Sequence, residues 1–260
     1  GDAITTAKEN TAVGYIALSA NVTGENNNAF GHGSLAGVTT GSFNAAFGSN
    51  ALLSNSTTDL LSAFGHDALR NNTTGIRNAA FGAYAADANT TGSYNTALGY
   101  FAMSANTTGN YNTAVGAYAF NESSSGSNNT AMGYGAMYKN TTGTNNTAIG
   151  YAALDKNTTG TKNIAVGGLS LDANTTGNNN VAIGYEALTD NTGGNNVAVG
   201  TGALANNSSA SNNTAVGYDA MVANTTGTNN VAIGAESLDA IVSSNDCTAV
   251  GYRSLSANTA

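Results

Sequence analysis

The amino-acid sequence predicts an all-β fold, a parallel β-solenoid of about fifteen coils with two short strands in each 17-residue coil. Three observations carry that expectation. A block of 17 residues, represented by Asn157 to Ala173, recurs fifteen times between Ile4 and Ala257. Within it the order Ala, apolar residue, Gly returns in every copy, its glycines running Gly14, Gly31, Gly48 and onward to Gly251. The one irregular step, 16 residues from Gly184 to Gly200, falls in the polar turn Asn191-Thr192-Gly193-Gly194-Asn195, where a deletion leaves strand frame intact.

Positions are counted here from this anchor glycine. The first expected strand is the stretch Asn-Thr-Ala-Ile-Gly-Tyr, as in Asn146 to Tyr151. The second is Ala-Ala-Leu, as in Ala152 to Leu154, and the polar segment Asn157 to Gly160 then turns into the next coil. Glycine at the fourth place of that turn, present in eleven copies, suits a backbone with positive φ. Helix is disfavoured, because Asn, Thr and Gly form helices poorly and no 3.6-residue apolar period survives across a copy. Stacked coils place like residues over one another, roughly 4.8 Å apart.

Alternation then sorts the first strand into two faces. Asn at −4, the invariant Ala at −2 and the anchor Gly form a small face suited to the inside of a narrow coil, opposite the Leu or Met of the second strand. The other face carries a column of Val13, Phe30, Phe47, Phe64, Phe81, Leu98, Val115, Met132, Ile149, Val166, Ile183, Val199, Val216, Ile233 and Val250. Pointing outward, that column is an apolar stripe of the kind that marks an interface, and a closed homotrimer with the stripe on its axis is the simplest assembly. The opposite orientation, with the column inside and Ala outside, makes a monomer tolerable, so mass in solution separates the two.

Composition narrows the function. Only 8% of residues are charged, there is no Pro or Trp, and the net charge of −8 with seven Lys and Arg cannot neutralise a run of phosphates. Nucleic acid is therefore not an expected partner, and no apolar run is long enough to insert in a membrane within this segment. Asp2-Ala3 reads as the close of a preceding copy and Asn258-Thr259-Ala260 as the opening of another. Residues 1–260 thus read as one solenoid domain, a window of a longer fibre protein. Cys247, the single cysteine, stands where thirteen copies have Asn and reads as a small buried side chain of an end coil.

The unit Asn-Val-Ala-Ile-Gly, as in Asn230 to Gly234, resembles the head repeats of YadA-type trimeric autotransporter adhesins. The longer phrase from Asn140 to Leu154 is similar to repeat shafts of phage-type tail-fibre proteins. Both resemblances imply a left-handed β-roll and a homotrimer at a cell surface or on a virion. Adhesin head repeats are usually shorter than these, and the resemblance does not choose between the two sources.

No catalytic constellation is legible. His32 and His66 both follow an anchor glycine, where Tyr is commoner, and read as variants of a structural position. The acidic residues scatter over several turn slots with no repeated pair or calcium nonapeptide, so neither an enzyme nor a cofactor is expected. The best ligand contacts are Phe43, Tyr94 and Tyr111, aromatics at −5 where Asn is usual, able to stack on sugar rings or to shield the next coil. Leu60, Leu61 and Thr58 depart from the pattern in one coil, and the expectation there is a bulge or a neighbour's contact.

The functional expectation is a non-enzymatic, extracellular shaft and adhesion module that presents one turn many times to a cell-surface glycan or protein receptor. The alternative is a structural filament polymerising end to end through open β-edges.

Overall fold

The computed structural model describes residues 5–257. Ile4 and the partial copies at Asp2-Ala3 and Asn258 to Ala260 lie outside the described residues. The protein is an all-β parallel solenoid of about fourteen turns, roughly 17 residues each, with no helix among the described residues. It divides into two compact units, Gly1–Asn129 and Thr130–Ala260. The first holds β1 (Thr11–Val13), β2 (Asn28–Phe30), β3 (Ala45–Phe47), β4 (Ser62–Phe64), β5 (Ala79–Phe81), β6 (Thr96–Leu98) and β7 (Thr113–Val115). The second holds β8 (Thr130–Met132), β9 (Thr147–Ile149), β10 (Ile164–Val166), β11 (Val181–Ile183), β12 (Val197–Val199), β13 (Thr214–Val216), β14 (Val231–Ile233) and β15 (Thr248–Val250).

Within each unit every strand pairs in parallel with its sequence neighbours, alanine over alanine, as in Ala97 over Ala114 and Ala148 over Ala165. The short turn changes nothing in this register: Ala182 still faces Ala198. A deletion confined to a turn leaves the pleat in phase, so no side chain changes face.

Each coil contains one strand, not two. The Ala-Ala-Leu stretch is a run of turns in which +2 and +4 are left-handed, for example Ala152 at φ 49° and Leu154 at φ 55°. Extended backbone is thus excluded there, yet rung-to-rung bonding continues. The N–H of Ala152 donates back to the Tyr134 carbonyl at 3.0 Å, and that of Leu154 donates forward to the Ser170 carbonyl at 2.9 Å. Left-handed dihedrals turn successive amides toward opposite neighbours, which a strand of this length would do less tightly.

A left-handed L-residue costs roughly 1–2 kcal/mol. Full burial of a Leu or Met side chain returns about 1.5–3 kcal/mol. The +4 column of Leu18, Leu35, Leu52, Leu69, Met103 and their equivalents is buried in every coil but the last, where Leu255 is exposed, so burial wins along the stack. No β-branched residue occupies +4 in any copy, as expected where Cβ crowding would be worst. The −2 alanines fill the remaining interior and are buried from Ala29 to Ala249.

The anchor glycines have φ between 125° and 144°. A Cβ on Gly99 would sit 2.5 Å from the Gly116 carbonyl oxygen, so close stacking of rungs requires glycine there. The turn glycine at +10 obeys a different constraint from the one expected: its φ is not positive. A Cβ on Gly75 would lie 2.1 Å from the Gly92 carbonyl oxygen of the next coil, with the Asn72 Oδ1 at 2.7 Å and the Asn78 amide nitrogen at 2.9 Å, and at Gly24 the Gly41 carbonyl oxygen is 2.2 Å and the Asn27 amide nitrogen 3.0 Å away.

Two buried asparagine ladders satisfy the interior backbone. At −4, Asn95 receives the N–H of Asn112 on Oδ1 at 3.0 Å and donates Nδ2 to the Gly109 carbonyl at 2.8 Å, closing its own coil. At +7, Asn89 donates Nδ2 to the Gly92 carbonyl and to Asn72 Oδ1 at 2.7 Å, and Asn106 donates in turn to Asn89. These bonds join coils through side chains where the backbone has turned away.

Candidate interaction surfaces

Two rows of side chains face solvent in a way the interior does not explain. The first is the −1 column of the strands. Because −2 is packed inside, alternation turns −1 and −3 outward. In the first unit Val13, Phe81 and Leu98 are exposed, while Phe30, Phe47, Phe64 and Val115 are half-buried against their neighbours. The four phenylalanines stack ring on ring at 4.7, 4.7 and 4.8 Å, within 9° of parallel. In the second unit Met132, Ile149, Ile183, Val216, Ile233 and Val250 are exposed, and Val166 and Val199 are half-buried. Tyrosines at +1, among them Tyr134, Tyr151 and Tyr185, widen that face.

The second row lies at −5, which is left-handed in every coil. In the second unit it carries Asn145, Lys162, Asn179, Asn195, Asn212, Asn229 and Asp246, mostly the short amide that tolerates this conformation best. In the first unit five successive coils carry Phe43, Leu60, Arg77, Tyr94 and Tyr111 instead. Phe43 and Tyr111 are each 58% exposed, Leu60 51% and Tyr94 38%, so burial does not offset the backbone cost. Tyr94 and Tyr111 stack at 4.9 Å and 16°. The Arg77 guanidinium lies 5.3 Å from the Tyr94 ring centre, and its Nη1 donates to the Tyr94 hydroxyl. Sequence reading found the three aromatics of this row but missed Leu60 as an exposed member and Arg77 altogether. The signal was their shared slot.

The other singled-out residues have local partners. His32 stacks on Tyr15 at 5.4 Å, and His66 lies edge-on to Tyr84 with Nδ1 at 3.6 Å from Asp67. Cys247 is half-buried, not enclosed, and its Sγ reaches the Asn245 carbonyl at 3.4 Å, because its coil has exposed turn neighbours. Leu61 is fully buried in place of a ladder asparagine and makes no bulge, since β4 stays in register with β3 and β5. Among the described residues no three His, Cys, Asp or Glu side chains converge as metal ligands, and no helix is long and apolar enough to cross a membrane.

Two carboxyls are held above their usual range. Burial raises Asp87, helped by the charge of Asp67, and burial raises Asp172 against the opposing pull of Lys156 at 3.7 Å. In each, Oδ1 is buried without a hydrogen-bond partner, so the protonated form is the easier one to enclose. Asp155 and Asp190 add to the rise at Asp172 as Asp67 does to that at Asp87.

No family model matches this chain, and no curated protein matches it either.

Proposed function

We propose that this chain is a non-enzymatic shaft and adhesion module of a homotrimeric, extracellular fibre of tail-fibre or adhesin type, at a cell surface or on a virion. The observation that carries the reading is the outward −1 column, an unbroken apolar row in each unit with aromatic flanks and no charged member. Apolar rows of this extent are normally covered, and the symmetric way to cover a row that repeats at every rung is with the same row of sister chains. The repeat resemblance described above supports the same assembly. Adhesion then works by geometry, since stacked coils present like turns at fixed intervals and weak contacts add through avidity.

Mass in solution is the test. Sedimentation equilibrium of the purified chain is expected to give a discrete trimer. Replacing Phe47 and Phe64 by Glu is expected to yield smaller species with unchanged β-sheet circular dichroism. A wild-type monomer would overturn the assembly, and indefinite fibres under the microscope would favour the end-to-end filament instead.

A further inference from the structure

We propose that Phe43, Leu60, Arg77, Tyr94 and Tyr111 form a binding platform for a neutral oligosaccharide. The inference rests on the adhesive part of the function above, and not on self-association.

Backbone conformation supplies the first argument. All five residues are left-handed, with φ of 60°, 62°, 55°, 60° and 56°. Asparagine fits that conformation with less strain and is the residue most of the other coils place there. Five consecutive coils therefore keep an unfavourable choice at a surface where packing gains little. Strain retained at exposed positions points to a ligand contact.

Geometry supplies the second. The row ends in apolar rings: Phe43 at one end, and at the other Tyr111, whose one face lies on Tyr94 and whose next neighbour in the row is the short Asn128. Between them stand donors, the Tyr94 hydroxyl and the Arg77 guanidinium, and among the described residues no carboxylate lies in ion-pair range of Arg77. Four coil steps at about 4.8 Å make the row about 19 Å long, room for several linked sugars.

Chemistry selects the occupant. A sugar ring offers C–H faces to aromatic rings and hydroxyls to donors beside them, matching both halves of the row. A polyanion meets one cation on a chain of net charge −8, which is poor complementarity. A wholly apolar partner would desolvate the guanidinium charge with only the Tyr94 hydroxyl as its partner and no counter-charge.

The experiment uses the full chain on an array of neutral, anionic and sulfated oligosaccharides, followed by calorimetric titration with the best neutral member. Phe43→Asn, Tyr111→Asn and the pair install the residue the slot carries elsewhere, so these variants are expected to fold with an equal or higher Tm. Binding is expected to be saturable in the wild type, to weaken about tenfold in each single variant, and to vanish in the pair, with mass unchanged. Three results would overturn the platform: no neutral oligosaccharide retained, retention undiminished in the pair, or a pair variant that melts lower or changes mass, which would make the row a packing element. Normal sugar binding by a chain that sediments as a monomer would instead defeat only the trimer.

Discussion

Thr58 and Leu61 compensate for one another. Thr58 occupies +10, where a Cβ would crowd the next coil's carbonyl and, at coils such as those of Gly24 and Gly75, also the amide three residues on, and in this coil that amide is absent because Leu61 replaces the ladder asparagine. The Thr58 hydroxyl donates to Asn55 Oδ1, a bond that the glycine N–H makes in coils such as Gly24 to Asn21 and Gly109 to Asn106. Ser244 and Cys247 repeat the combination in another coil. Ala210 keeps its amide at Asn213, consistent with a bare methyl being small enough to share the space.

A double-mutant cycle tests this coupling. Leu61→Asn alone is expected to destabilise, Thr58→Gly alone likewise, and the pair to return near the wild type. Urea unfolding should show a coupling energy of about 0.5–3 kcal/mol. Additive effects would mean that the two residues ignore one another.

The left-handed +4 site makes a second prediction. Leu154→Met nearly keeps volume and adds no branch at Cβ, and it is expected to cost less than about 1.5 kcal/mol. Leu154→Val removes buried carbon and forces a β-branch into φ 55°, so its cost is expected to reach about 2 kcal/mol or more. Equal losses in thermal melts would contradict the role given to the dihedral.

Acid should favour two coils. With its folded pKa above the ordinary 3.8, Asp87 binds its proton more tightly in the folded chain than in the unfolded one. Stability from this group therefore falls as pH rises from the unfolded value through the raised one, and the penalty is full at neutral pH. Asp87→Asn is expected to raise Tm at pH 7 and to lose that advantage near pH 3; Asp172→Asn should follow the same sign. An advantage independent of pH would rule out the buried charge as its cause.

The short turn leaves a chemical mark. Asn174 Oδ1 is buried without a partner: Asn191, on the coil with the missing residue, donates Nδ2 to the Gly193 carbonyl but makes no second bond to Asn174 of the kind Asn89 makes to Asn72. Inserting one residue between Thr192 and Gly193 is expected to restore the ladder bond and add about 1 kcal/mol. A destabilising insertion would show that the shorter turn has relaxed around its loss.

Much of this architecture was legible beforehand. The 17-residue count gave the rung, the Ala and Asn slots gave the interior, and the deletion at Asn191 to Asn195 located a turn. The Ala-Ala-Leu stretch was misread as a strand because backbone sign is not a compositional property: Leu avoids left-handed dihedrals by itself, and burial overrides that preference. A signal existed in the absence of Val, Ile and Thr from +4. Likewise glycine at +10 reports the nearness of the next coil's carbonyl, such as that of Gly92 over Gly75, and of the ladder amides around it, distances between coils that no local turn rule contains. At the surface, Phe43, Tyr94 and Tyr111 stood out by type, whereas Leu60 and Arg77 belong with them only through position.

The +7 amides all lean the same way. In the runs Asn72 to Asn106, Asn140 to Asn174 and Asn191 to Asn224, each later asparagine gives its hydrogen to the one before. The second and third runs close on an acceptor left wanting, at Asn174 and Asn224, the latter because Ile241 follows in the column. A stack wired in this manner is vectorial: its two sides ask for opposite chemistry, and a coil grafted after such a run must arrive bearing a proton to give.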